Sequence, residues 1–193
     1  MEFTYAHGGN MPAKARMETA TLGGGCFWCL EPVFEELNGV DRVVVGYAGG
    51  EHPAPDYQLV CTGSTGHAEV LQVTYDPEQI SYTQILEVFF SVHDPTTPNQ
   101  QGADVGTQYR SIILHHDEHQ KQMAEQLIQS LDSQEIWKNP IVTQVEPLST
   151  FYIAEEYHQG YYRKNPGQGY CMMVVAPKLK KFRQKYAESL KQG

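Results

Sequence analysis

The chain has 193 residues, with 14 lysines and arginines against 23 aspartates and glutamates and a net charge of −9. That length suits one domain whose core needs no metal or disulfide staple, and a composition 40% hydrophobic and 19% charged is globular, which excludes a disordered chain. The acidic balance argues against nucleic-acid binding, which rests on clustered Lys and Arg, and four cysteines are too sparse for a disulfide scaffold.

Residues 1–18 read as a loose tail, in which Met1 to Met17 has no apolar core of signal-peptide length. No apolar run of roughly 18 residues occurs anywhere, so no membrane span is expected. The expected setting is a reducing cytoplasm, where a C-x-x-C pair is catalytic or metal-binding more often than structural. Thr19 to Leu22 is a strand running into Gly23-Gly24-Gly25, a turn or a close backbone approach. Leu30, Val33, Phe34 and Leu37 keep helical spacing up to a stop at Asn38-Gly39. Val40 to Tyr47 is a β-branched strand, and the Pro- and Gly-rich stretch 50–66 reads as a long loop of the kind that often carries function.

Ala68 to Tyr75 is a strand with Glu69, Leu71, Val73 and Tyr75 on one face by the two-residue period. Ser81 with Gln84 is a capping box that opens a helix to about Val92. After an irregular stretch, Asp94 to Thr107, comes a strand over Arg110 to Leu114. Asp117 with Gln120 then caps a helix bearing Met123, Leu127 and Leu131. Ile141 to Val145 is a further strand and Ala154 to Tyr162 a helix. Leu179, Phe182, Tyr186 and Leu190 give Lys178 to Lys191 a helical stripe. This last helix carries six basic residues and reads as packing on the protein itself, not on a membrane. The expected divisions are a tail (1–18), a catalytic domain (19–176) and an amphipathic helix (177–193). The β-α-β-β-α-β order favours an α+β fold, a ferredoxin-like two-layer sandwich with long irregular loops and a C-terminal helix, over a doubly wound parallel sheet.

Gly25-Cys26-Phe27-Trp28-Cys29 falls at a strand–turn–helix junction. A thiol at a helix start meets unpaired N–H groups and the positive end of the helix dipole, which favour its thiolate. Pro32 requires either that the helix begin near Cys29 or that it kink. Free cysteines are also frequent small core residues, and a zinc module would need two more ligands, with only the isolated Cys61 and Cys171 left to give them. Covalent haem is excluded, because Leu30 stands where C-x-x-C-H needs histidine.

The pentapeptide is joined by Asp56-Tyr57, Val60-Cys61, Thr65 to Glu69, His93-Asp94-Pro95, the run Gln101 to Ser111, Phe151 to Gln159 and Asn165 to Cys171. Taken in this order, from about Leu22 to Val175, these stretches resemble the A-type peptide-methionine sulfoxide reductases, the enzymes that restore methionine from its S-sulfoxide. The resemblance implies Cys26 as the nucleophile that becomes a sulfenic acid. It implies Glu69 as the acid for the sulfoxide oxygen, kept protonated by the apolar face it shares. Tyr57 and Tyr109 would bind that oxygen, with Asp104 supporting them, while Phe27 and Trp28 would wall the S-methyl group.

The family's C-terminal resolving cysteine matches Cys171, and Gly167 and Gly169 suit a segment that must swing. Thioredoxin is the implied reductant, with no cofactor and no metal. Cys29, where many members carry another residue, is a rival resolver or a relay, because residues three apart on a helix are neighbours. Cys61 reads as a buried structural thiol. His115, His116 and His119 read as an exposed junction, and His158, beside Glu155 and Glu156, as an indirect support. The alternative function is a general C-x-x-C dithiol–disulfide oxidoreductase.

Overall fold

The computed structural model describes residues 16–192, so most of the expected tail lies outside the described residues. The elements run β1 (Glu18–Gly24), α1 (Phe27–Glu35), β2 (Val40–Ala48), α2 (Tyr57–Cys61), β3 (Ala68–Tyr75), α3 (Tyr82–Val92), β4 (Gln100–Gln101), β5 (Asp104–Val105), β6 (Ser111–His115), α4 (Glu118–Ser133), β7 (Gln144–Pro147), β8 (Phe151–Ile153), α5 (Tyr161–Lys164) and α6 (Ala176–Lys185). This is a mixed α/β fold. Six strands form one sheet in the order β7-β6-β1-β3-β2-β8, with every neighbouring pair antiparallel except β6 and β7. β4 and β5 form a separate hairpin.

The two-residue strand period sorts the side chains. Leu22 lies opposite Leu71 and Ala20 opposite Val73, while β2 sets Val45 against Leu71. Together with Phe27, Leu30, Val33 and Phe34 of α1 and Ile85, Leu86 and Phe89 of α3, these residues make the main core. Full burial of each such side chain is worth about 1.5–3 kcal/mol. The alternate residues Ala48, Ala68, Val70, Ile112 and Leu114 form a smaller cluster beside Phe151 and Leu148. Glu69 therefore shares its face with the core residues Leu71 and Val73, as its spacing predicts.

The triple glycine combines both constraints read from the sequence. A Cβ on Gly23 would lie 2.8 Å from the Glu69 carbonyl oxygen, and Gly25 has φ +98, a left-handed value that suits glycine. β1 thus runs hard against β3 and then turns directly into α1.

The structure departs from the sequence reading at the short elements. The loop 50–66 holds a one-turn helix, α2, capped by Asp56 accepting from the Leu59 N–H. Pro32 sits inside α1, which begins at Phe27. The strand expected at Ile141–Val145 forms later, at Gln144–Pro147, where pairing with β6 fixes its register. The region Ala154–Tyr162 is not one helix. A single 3-10 turn, Glu156–His158, is separated from α5 by Gly160 at φ +63. The terminal helix spans Ala176–Lys185 and buries Leu179 and Phe182 in the core. Leu190 has left the helix and bridges Leu37. No described helix is long and apolar enough to cross a membrane.

Candidate active site

β1 delivers Cys26 to the N-cap position of α1, where its side chain caps nothing. The Phe27 N–H instead donates to Glu69 Oε2 at 3.0 Å. Glu69 can reach it because the β3 alternation turns the carboxyl toward α1, and its only 1% exposure removes it from water. Burial pushes the Glu69 carboxyl up to about 8, against the opposing pull of the Phe27 N–H, so it holds its proton at neutral pH.

The same surroundings reverse the expectation for Cys26. Burial, its hydrogen bond to Cys29 and the nearby Glu69 charge raise the Cys26 thiol well above its ordinary value. Cys29 is lowered to about 7, first of all by that hydrogen bond from Cys26. The Trp28 N–H at the helix start lowers the Cys26 thiol, but burial outweighs it, because Cys26 is only 8% exposed and the Phe27 amide already serves Glu69. The more acidic thiol of the C-x-x-C pair is therefore Cys29.

Cys29 Sγ lies 3.5 Å from the Tyr170 hydroxyl, which donates to Asp104 Oδ2 at 2.6 Å. Cys171, fully buried, joins Cys26, Cys29 and Val175 in one cluster, with Trp28, Tyr109, Tyr161, Tyr162 and Tyr170 around it. Cys171, far along the chain, therefore converges on the Cys26–Cys29 pair. All four cysteines are free thiols, and Cys61 is exposed, contrary to its reading as a buried structural residue. It closes α2 one turn after Tyr57, so i,i+4 spacing puts its thiol on the Tyr57 hydroxyl.

Tyr57 and Tyr109 are half-buried. Burial, with the Glu69 charge among the lesser causes, raises both phenols, so they stay neutral donors. Tyr109 ends a 3-10 turn, Thr107–Tyr109. The Arg110 guanidinium after it donates to the Gly49, Gly66 and Thr107 carbonyls, which ties three loops at this edge. Phe27 is fully buried against Tyr47 and His158. Trp28 donates its indole N–H to His158 Nδ1 at 3.0 Å and stacks on Tyr161 at 3.7 Å between centroids.

The model described as "Peptide methionine sulfoxide reductase" matches residues 18–190. The chain belongs to the peptide methionine sulfoxide reductase family. The peptide methionine sulfoxide reductase MsrA of Deinococcus radiodurans is 54% identical over 183 residues, 95% of this chain and 88% of that protein. Mxr1 from Saccharomyces cerevisiae in reduced form superposes with a TM-score of 0.74 at 39% identity, covering 82% of this chain and 91% of that one. Mxr1 in complex with Trx2 gives 0.53 at 29% identity, over 80% and 91%.

Against this reductase background, the structure brings Cys26, Cys29, Glu69, Asp104, Tyr109 and Cys171 together with Phe27, Trp28 and Tyr57 at one end of the sheet. Three further residues were given no role of their own from the sequence. Tyr170 bridges Cys29 to Asp104, Tyr161 covers the Trp28 ring, and Glu155 accepts from the Tyr57 N–H at 2.8 Å and the Tyr47 hydroxyl at 2.7 Å. Among 12 tyrosines nothing local marks two of them. The histidine cluster stays at the β6–α4 junction, where His116 Nε2 meets the Thr21 hydroxyl. Among the described residues no three His, Cys, Asp or Glu side chains are grouped to hold a metal ion.

Proposed function

We propose that this chain reduces methionine S-sulfoxide, free or in proteins, to methionine as an oxidative-damage repair enzyme. The observation that carries the reading is the buried pair at the α1 start: a Cys26 thiol beside a Glu69 carboxyl that keeps its proton near neutral pH. The Cys26 sulfur attacks the sulfoxide sulfur after passing its proton to Cys29, with which it is hydrogen-bonded. Glu69 protonates the leaving oxygen, while the Tyr57 and Tyr109 hydroxyls hold it. The substrate S–O bond and the transient S–S bond break as the protonated oxygen passes to Cys26, leaving Cys26 oxidised to a sulfenic acid and the sulfoxide reduced to methionine. Trp28 walls the S-methyl group, the fully buried Phe27 packs behind it on the His158 ring, contrary to its expected place at the wall, and Asp104 orients Tyr170 beside the thiols.

Cys171 then attacks the Cys26 sulfenic sulfur to give a disulfide and water. Gly167 and Gly169, around which a Cβ would meet nothing within 4 Å, leave this segment room to swing. Cys29 competes or relays, and a thioredoxin-type dithiol returns the pair to thiols, as the complex of the related Mxr1 with Trx2 suggests. A cytoplasmic setting, where such donors keep thiols reduced, fits the cycle. The antiparallel order β6-β1-β3-β2 with α1 and α3 on one face supports the ferredoxin-like reading of the central fold.

The test is mass spectrometry of a sulfoxide-containing peptide incubated with the protein and dithiothreitol. Loss of one oxygen from the S epimer is expected, and no loss overturns the reading. The low value of Cys29 also suits a general dithiol oxidoreductase. That reading predicts insulin disulfide reduction that survives Glu69→Gln.

A further inference from the structure

Farther along α1 than Cys26 lies a carboxyl that the mechanism leaves idle. Glu31 is 2% exposed, and burying a carboxyl is costly unless its oxygens find partners. Its Oε1 accepts the Gly160 N–H at 2.7 Å, with the Tyr161 N–H alongside, while Oε2 has no partner. From this point hydrogen bonds run unbroken to the third cysteine of the cluster. The Asn165 N–H donates to the Tyr161 carbonyl at 2.9 Å, the Gln168 N–H to the Asn165 carbonyl at 3.1 Å, and the Cys171 N–H to Gln168 Oε1 at 3.1 Å. The pair Arg163–Glu35 also links α5 to α1, but it reaches into solvent, where screening leaves such pairs weak.

We propose that Glu31 is a positioning residue for the resolving step: its carboxyl clamps residues 160 and 161 to α1 and so fixes the base from which Cys171 reaches Cys26. The inference rests on Cys171 as the resolving thiol. In that step the Cys171 sulfur attacks the sulfenic sulfur of Cys26. The S–S bond forms, the S–O bond breaks, and the hydroxyl leaves with the Cys171 proton as water. Glu31 touches none of these atoms. It acts through the segment between Gly160 and Cys171: Gly167 lies in a turn with open space around it and Gly169 opens the helix that carries Cys171, so that helix start needs a fixed base if the thiol is to arrive in line.

Rapid-quench single turnovers with one equivalent of a sulfoxide peptide separate two rates: methionine formation, and loss of the dimedone-reactive sulfenic acid as the Cys26–Cys171 bond forms. In Glu31→Ala the second rate is expected to fall at least fivefold more than the first, with sulfenic acid accumulating. Should that variant not fold, Glu31→Asp, which withdraws the oxygens by one methylene, is expected to give the same ratio. Glu31→Gln keeps an acceptor for the Gly160 N–H and is expected to stay within twofold of wild type. A ratio below five in the folded variant, or a Gln variant as slow as Ala, overturns the inference. Wild-type protein that forms no methionine, or no Cys26–Cys171 bond, overturns instead the reading on which it rests.

Discussion

The Phe27 amide at the start of α1 donates to Glu69 Oε2 on β3 over 3.0 Å. Through this contact the strand carboxyl takes one of the leading amides, while the Trp28 amide beside it still lowers the Cys26 thiol against the larger effect of burial. It also fixes the Glu69 carboxyl beside Cys26, because Phe27 directly follows Cys26 in the chain. The proposed nucleophile and the proposed acid are therefore positioned by one backbone group.

Glu69 sets the alkaline limb of the reaction. With its carboxyl raised to about 8, methionine formation is expected to decline as pH rises through that value and the proton is lost. Glu69→Gln cannot transfer a proton, so the rate is expected to fall by about 10²–10⁴ and the alkaline limb to vanish. Single-turnover rates between pH 6 and about 9.5 check both outcomes.

The same group costs stability. The folded value of about 8 lies above the ordinary 4.5, so folding favours the protonated carboxyl. Its contribution is fully present below pH 4.5 and is lost as pH rises through 8. Glu69→Gln is therefore expected to be more stable than wild type at pH 8.5, with the gain shrinking toward pH 4.5, in urea melts at the two pH values.

The convergence of Cys26, Cys29 and Cys171 predicts how the oxidised enzyme partitions. Cys171→Ser is expected to hold the sulfenic acid or to divert it to a Cys26–Cys29 disulfide. A non-reducing peptide map after one equivalent of substrate reads this directly. Thioredoxin-linked turnover unchanged in that variant would make Cys29 the resolver.

Tyr170 gives a sharper handle on Cys29. Its hydroxyl contact helps hold the Cys29 thiol down, and Tyr170→Phe removes that contact and leaves Asp104 without its donor. The alkylation of Cys29 by iodoacetamide is expected to move to higher pH. A Cys29→Ser background identifies which thiol reports the change. An unmoved profile would mean that Cys26 and the Lys178 charge, not Tyr170, hold the Cys29 thiol down.

The strand alternation that buries Glu69 with Leu71 and Val73, the Ser81–Gln84 capping box (both of whose arms form) and the triple glycine were all legible in the sequence. These depend on spacing within a few residues, where backbone geometry leaves one solution. The short elements α2, β8 and α5 were not legible, because one turn or three residues carry no periodic signal and form only against neighbours. The exposure of Cys61 followed from one of them, since α2 turns its thiol toward Tyr57.

By itself, then, the amino-acid sequence determined the ordered set of candidate residues and the apolar face that Glu69 shares with Leu71 and Val73. The tertiary structure alone decided which thiol is acidic, and that Cys171, through Tyr170 and the Glu31-held segment, lies among the others. The physical reason is that a pKa and a reach depend on burial and on partners far along the chain, such as Cys29 with Tyr170 or Glu31 with Gly160, which no local spacing encodes.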